Sequence, residues 1–180
     1  LYGLYATSNG SISLANLSVE GNQYDGAFLD NTGGTSGISI TRGYFAGNLW
    51  NGVSAYSNGS ITWKYGGAWG NDYSGAYLQN NYSGSTGGVS VSGTSKERMG
   101  FEGNGWGWSG DGLCILSRGK ITLAYAGAEN NNGRGFGLNN SAGANQSVTA
   151  TEVYANWNEQ YGLYAESNGS ITAKGINGEG

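Results

Sequence analysis

The chain has 180 residues, 36 of them Gly and one Cys, with no Pro, no His and a net charge of −4 from eight basic and twelve acidic side chains. The acidity disfavours nucleic acid or an anionic membrane as a partner, one Cys excludes an internal disulfide framework, and the missing His excludes Ser-His-Asp and Cys-His catalysis. Apolar residues make up 37% and recur at regular positions, which argues for a packed interior rather than disorder.

In chain order, the first unit reads as a strand Gly3-Leu4-Tyr5-Ala6, a tight turn Ser8-Asn9-Gly10, a second strand Ile12-Ser13-Leu14, an inward Val19 and a turn residue Asn22. The next repeats the order as Gly26-Ala27-Phe28-Leu29, a longer turn Asp30–Ser36, Ile38-Ser39-Ile40, Phe45 and Asn48. The third returns to the tight turn: Gly52-Val53-Ser54-Ala55, Ser57-Asn58-Gly59, Ile61-Thr62-Trp63, Ala68 and Asn71. A fourth unit runs Gly75-Ala76-Tyr77-Leu78, Val89-Ser90-Val91, Phe101 and Asn104, with about ten extra residues at about 92–105. The fifth has Gly112-Leu113-Cys114-Ile115, a degraded turn Ser117-Arg118-Gly119-Lys120, Ile121-Thr122-Leu123, Ala128 and Asn131. Gly135-Phe136-Gly137-Leu138, Val148-Thr149-Ala150, Val153 and Asn156 make the sixth. The seventh is Gly162-Leu163-Tyr164-Ala165, Ser167-Asn168-Gly169, Ile171-Thr172-Ala173 and Ile176.

Self-similarity at a fixed period means stacked units that cannot bury their apolar faces alone. Alternation along each short strand sends Leu, Ile, Val and Ala inward and Ser, Thr or an aromatic residue outward. The pattern predicts an all-β parallel solenoid of about seven coils, each of about 25 residues with three strands. Tight and long turns alternate, so the larger repeat is two coils. Residues 1–180 read as a single such segment. Because the chain begins and stops inside its own repeat without a polar cap, it reads as a piece of a longer chain.

The Gly-x-x-x strand, the Ser-Asn-Gly-Ser-Ile-Thr turn and strand, and the Gly-Asn turn together resemble the right-handed parallel β-helix of the pectate-lyase-like superfamily, as in bacterial surface and adhesin-type repeat proteins. The resemblance covers the whole chain and implies the fold. Function it leaves open, because lyases, glycoside hydrolases, epimerases, tailspikes and adhesins share that architecture. Enzyme motifs of the superfamily are absent: there is no Asp-Asp pair, no Asn-Thr-Asp and no Gly-His-Gly.

Four features are candidates for function. The turn column Asn22, Asn48, Asn71, Asn104, Asn131 and Asn156 reads as a structural ladder in which each amide bonds to its neighbours above and below. The outward hydroxyls Ser13, Ser39, Thr62, Ser90, Thr122, Thr149 and Thr172 form a row that could order water as ice-binding proteins do. A companion row of Ser11, Ser60, Ser147 and Ser170 is broken at Gly37, Gly88 and Lys120. The outward rings Tyr5, Phe28, Tyr77 and Tyr164, with Trp69 on the third strand, could stack on sugars or on a neighbouring rod.

The insert adds Trp106 and Trp108 to this binding set. Its charged residues Glu97, Arg98, Glu102 and Asp111, with Arg118 and Lys120 in the following turn, are the candidates if the chain is an enzyme. No metal or cofactor is implied. Few Lys and many Asn, Ser and Thr suit an extracellular or cell-surface location. The primary reading is a non-catalytic structural or adhesive rod that binds glycans or identical rods multivalently. A polysaccharide lyase or hydrolase with its site at the insert is the first alternative, and ice binding is the second.

Overall fold

The computed structural model describes residues 1–179. Among the described residues there are fifteen strands and no helix, and the strands stack into two parallel sheets. The first sheet holds β1 (Leu4–Thr7), β3 (Ala27–Asn31), β5 (Val53–Ser57), β7 (Ala76–Asn80), β10 (Leu113–Ser117), β12 (Phe136–Asn139) and β14 (Leu163–Glu166). The second holds β2 (Ile12–Glu20), β4 (Ile38–Ala46), β6 (Ile61–Trp69), the pair β8 (Val89–Ser92) and β9 (Met99–Glu102), β11 (Ile121–Glu129), β13 (Val148–Asn156) and β15 (Ile171–Asn177). Each strand pairs in parallel with its counterparts in the neighbouring coils, so the described residues form a parallel β-solenoid of seven windings.

The expected three strands per coil are separate only in the fourth coil; in the others the count is two. In β2, β4, β6, β11 and β13 the second and third strand patterns join into one nine-residue strand that bends at a left-handed residue, Asn16, Arg42, Tyr65, Tyr125 or Glu152, with φ between 51° and 61°. In β6 Gly66 follows Tyr65 with φ 103°, and in the seven-residue β15 the bend is at Gly175. One such residue turns the chain without a loop, so the ladder resumes immediately beyond it, as Ala15↔Thr41 then Leu17↔Gly43. A left-handed non-glycine residue costs roughly 1–2 kcal/mol, which packing on both sides of the bend offsets. Only in the fourth coil is the bend replaced by a true loop, separating β8 from β9.

Inside, Leu29, Ile40, Ile61, Leu78, Ile115 and Leu138 are fully buried. The interior is not purely aliphatic. Phe45, Trp63, Phe101 and Phe136 meet edge to face at ring separations of 5.5, 5.6 and 6.2 Å, forming an aromatic spine through the central coils. The Trp63 indole N–H donates to the Tyr65 carbonyl at 3.0 Å, which satisfies the one polar atom this burial brings in. In the last described coil Ile171 is 51% exposed.

The asparagine ladder runs as expected through Asn22, Asn48, Asn71, Asn104 and Asn131. Each amide Nδ2 donates to the next Oδ1 at 2.8–3.0 Å across intervals of 26, 23, 33 and 27 residues. Its sixth member is Asn158 and not Asn156: Asn131 Nδ2 donates to Asn158 Oδ1 at 2.8 Å, 27 residues on. Asn156 ends β13 and donates to Glu129 Oε1 instead. The same two-residue shift moves the inward column, where Ala155, not Val153, stands beside Ala128. Counting four residues back from the strand glycine gives the right member, since Asn48–Gly52, Asn71–Gly75 and Asn158–Gly162 share that spacing.

The alternation of turns has a hydrogen-bond cause. In the tight turns, Ser57, Ser117 and Ser167 accept from the N–H of Gly59, Gly119 and Gly169 at 2.9–3.0 Å. In the intervening coils Asn31, Asn80 and Asn140 are buried and donate Nδ2 to the carbonyls of Gly10, Gly59 and Gly119. A second polar ladder precedes the first sheet: Asp25, Asn51, Ser74 and Asp111 each accept, through a side-chain oxygen, the backbone N–H of Asn51, Ser74, Asp111 and Arg134 in turn, at 2.8–3.1 Å.

Candidate functional site

The insertion is two insertions. Ser92 and Gly100 enclose a loop where the preceding coil passes from Lys64 to Gly67 through Tyr65 and Gly66 alone, and Asn104 stands eight residues before Gly112 where other coils need four. The second insertion, Gly105–Ser109, projects as a ridge from the turn that leads back to the first sheet. Gly107 and Trp108 donate backbone N–H to Asp72 O, Ser109 Oγ donates to Asn132 O at 3.2 Å, and Gln160 Nε2 donates to Ser109 Oγ at 3.3 Å. The ridge is thereby tied to the coils on both sides, with Trp108 exposed on its crest.

Beside this ridge, on the side of the second sheet, lies an open cleft of about 600 Å3 lined by Trp69, Glu102, Trp106, Asn130, Asn132, Trp157 and Glu159. Successive coils supply its residues, because the ends of β6, β9, β11 and β13 stand side by side. Trp69, Glu102, Glu129 and Asn156 occupy one register row. Trp69 is held flat by stacking on Tyr44, with rings 5.8 Å apart and 12° from parallel. Its indole also lies over Gly100, where a Cβ would come within 3.1 Å of the indole nitrogen. Trp106 and Trp157 are far more open, at 74% and 55% exposed. Partial burial, reinforced by the neighbouring Glu129 charge, raises the Glu102 carboxyl above the ordinary carboxylate range. Glu129 is oriented by the Asn156 amide at 2.8 Å.

Of the sequence candidates, Trp69, Glu102 and Trp106 come together in this cleft. Glu97, Glu102 and Asp111 do not converge. Glu97 lies 3.5 Å from Arg42 on the outer face of the second sheet, and Asp111 is gripped by Arg134 at 2.7 Å on the other side of the ridge. Arg98 lies over the Tyr125 and Tyr154 rings and donates to the Glu152 carbonyl. Arg118 and Lys120 line a separate depression with Thr86, Gly87 and Gly88. Trp157 and Glu159 escaped the sequence reading because the two-residue misalignment of the sixth coil displaced them from their column, while Asn130 and Asn132 flank the ladder residue Asn131 and carry no signal of their own.

The aromatic row on the first sheet is more continuous than expected. Tyr5 stacks on Phe28 at 5.2 Å, and Tyr56 bridges Phe28 and Tyr77 at 5.3 and 6.0 Å, covering the interruption at the buried Ser54. A second column not read from sequence adds Tyr24, Trp50 and Tyr73, with Trp50 and Tyr73 stacked at 5.8 Å. Cys114 interrupts the first row and is buried, which pushes its thiol up to about 12. At pH 8 it is therefore protonated, and alkylation by iodoacetamide is expected to be far slower than for a free thiol until the chain is denatured. Alkylation at the free-thiol rate in the native protein would contradict this burial.

Among the described residues no cluster of three or more His, Cys, Asp or Glu could hold a metal ion. Comparison with protein-family models, with curated proteins and with solved structures finds no match.

Proposed function

We propose that this chain is a segment of an extracellular or cell-surface solenoid of the adhesin type, a stiff rod that binds polysaccharide in the tryptophan cleft without cleaving it. The observation that carries the reading is the convergence of three tryptophans from three different coils on one open groove walled by amides and carboxylates. Flat aromatic faces take up the apolar faces of sugar rings, and Asn and Glu side chains meet the hydroxyls at ring edges. The exposed rings on the first sheet supply further weak contacts, and a rod carrying several such sites gains affinity through avidity. Ice binding is less favoured because the second hydroxyl row is broken at Gly37, Gly88 and Lys120.

Titration calorimetry against soluble plant and bacterial polysaccharides tests the proposal. Trp106→Ala and Trp157→Ala are each expected to weaken binding about tenfold, near 1.4 kcal/mol, with little change in melting temperature because both rings are exposed. Unchanged affinity in both variants, or no binding by the parent, would remove the cleft from consideration. A glycoside hydrolase is the second reading, favoured by Glu102 with its raised pKa facing the same groove as Glu159. Release of reducing ends that disappears in Glu102→Gln would replace the binding reading with that one.

A further inference from the structure

On the opposite side of the ridge from the tryptophan cleft, the aromatic row of the first sheet has a gap. Tyr77 and Tyr164 stand in one register row with Cys114 and Gly137 between them, three strand steps or about 14 Å apart. The gap opens into a cavity of about 360 Å3 that also takes in Tyr73, Tyr161 and the Asp111–Arg134 pair.

Its floor is built rather than merely vacant. Asp111 accepts from Arg134 Nε and Nη2 at 3.1 and 2.7 Å, a grip that fixes the guanidinium plane. The guanidinium lies on Gly137, where a Cβ would come within 2.8 Å of Cζ, and packs 5.3 Å from the Tyr164 ring centre. Glycine at this outward position is thus what lets the arginine lie flat. Among the described residues, Arg134 Nη1 and the Tyr77 hydroxyl make no hydrogen bond.

We propose that this notch is a second saccharide site, independent of the tryptophan cleft, that takes an uncharged pyranose between Tyr77 and Tyr164. Charge decides the class of sugar. Asp111 and Arg134 balance each other, and Glu166, bonded to the Tyr164 hydroxyl at 3.2 Å, borders the site with a further negative charge. An acidic sugar is repelled there, while neutral hydroxyls find a fixed donor in Arg134 Nη1 and ring faces on either side.

The test uses nitrogen-15 NMR on the whole chain with three neutral probes: cellohexaose, xylohexaose and mannohexaose. The Arg134 Nε–H resonance, assigned by its loss in Arg134→Lys, reports the notch, and the indole N–H resonances of Trp106 and Trp157 report the cleft. At least one probe is expected to shift Arg134 Nε–H saturably, and the shift persists in the Trp106→Ala/Trp157→Ala double variant. Tyr164→Ala, at a half-exposed ring whose loss leaves the core intact, is expected to weaken that response about tenfold. If only the indoles move, the notch proposal fails while the cleft stands. An Arg134 shift of undiminished affinity in Tyr164→Ala also overturns it.

Discussion

Ile61→Asp is expected to unfold the central coils, whereas Thr62→Asp is expected to leave the melting temperature nearly unchanged. The two residues are consecutive in β6, and their backbones pair equally well, with Ile38 and Val89 for one and Ser39 and Ser90 for the other. The difference lies in which way each side chain points. Ile61 is fully buried, so a carboxylate there has no water and no partner, at a cost of about 4 kcal/mol or more. Thr62 faces solvent between two serines, where an aspartate stays hydrated and the change is within about 1 kcal/mol. Thermal unfolding followed by circular dichroism separates the two outcomes. Similar losses for both would mean that this stretch of β6 does not have one buried and one wet face.

The second large effect is expected for Asn104→Ala, at a cost of about 3–5 kcal/mol by summing the buried groups it strands. Asn104 Oδ1 accepts from both the backbone N–H and the amide of Asn71, while its Nδ2 donates to Asn131 Oδ1 and to the Ala68 carbonyl. Removing the amide leaves donors and acceptors in the coils on both sides without water to replace it. Asn156→Ala is the contrast: it loses a bond to Glu129 at the cleft edge and one from the exposed Glu179 N–H, groups that water can reach, and the expected cost is about 1 kcal/mol. Chemical denaturation of the two variants measures the difference. Equal midpoints would show that the ladder contributes no more than an ordinary surface bond.

The stacking of coils was legible because Ile12, Ile38, Ile61, Val89, Ile121, Val148 and Ile171 recur with a hydroxyl after each, and period two leaves only one way to bury them. The bend residues were not legible. Asn16, Arg42, Tyr65, Tyr125 and Glu152 share a conformation but no chemistry, since neighbouring packing imposes the left-handed geometry on whichever side chain is there. The cleft was half legible. Trp69, Glu102 and Trp106 stand out in the insert and its neighbouring strand, but Trp157 and Glu159 could be placed only by correct register in the sixth coil, where Asn156 and Asn158 compete for one role. Arg134 carries no motif at all. Its importance comes from Asp111 one coil earlier and from the missing side chain at Gly137, a relation that exists only once the coils are stacked.

The handshake between serine turns and asparagine turns also governs how such a rod can change length over generations. A Gly59 carbonyl waits for Asn80, and Asn140 needs the Gly119 carbonyl beneath it. Copying a single winding would set two serine corners face to face, or two asparagine corners, and strand the groups each was built to satisfy. Unequal recombination in the gene is therefore tolerated when it adds or removes windings two at a time, so lineages of this protein should differ by even numbers of turns.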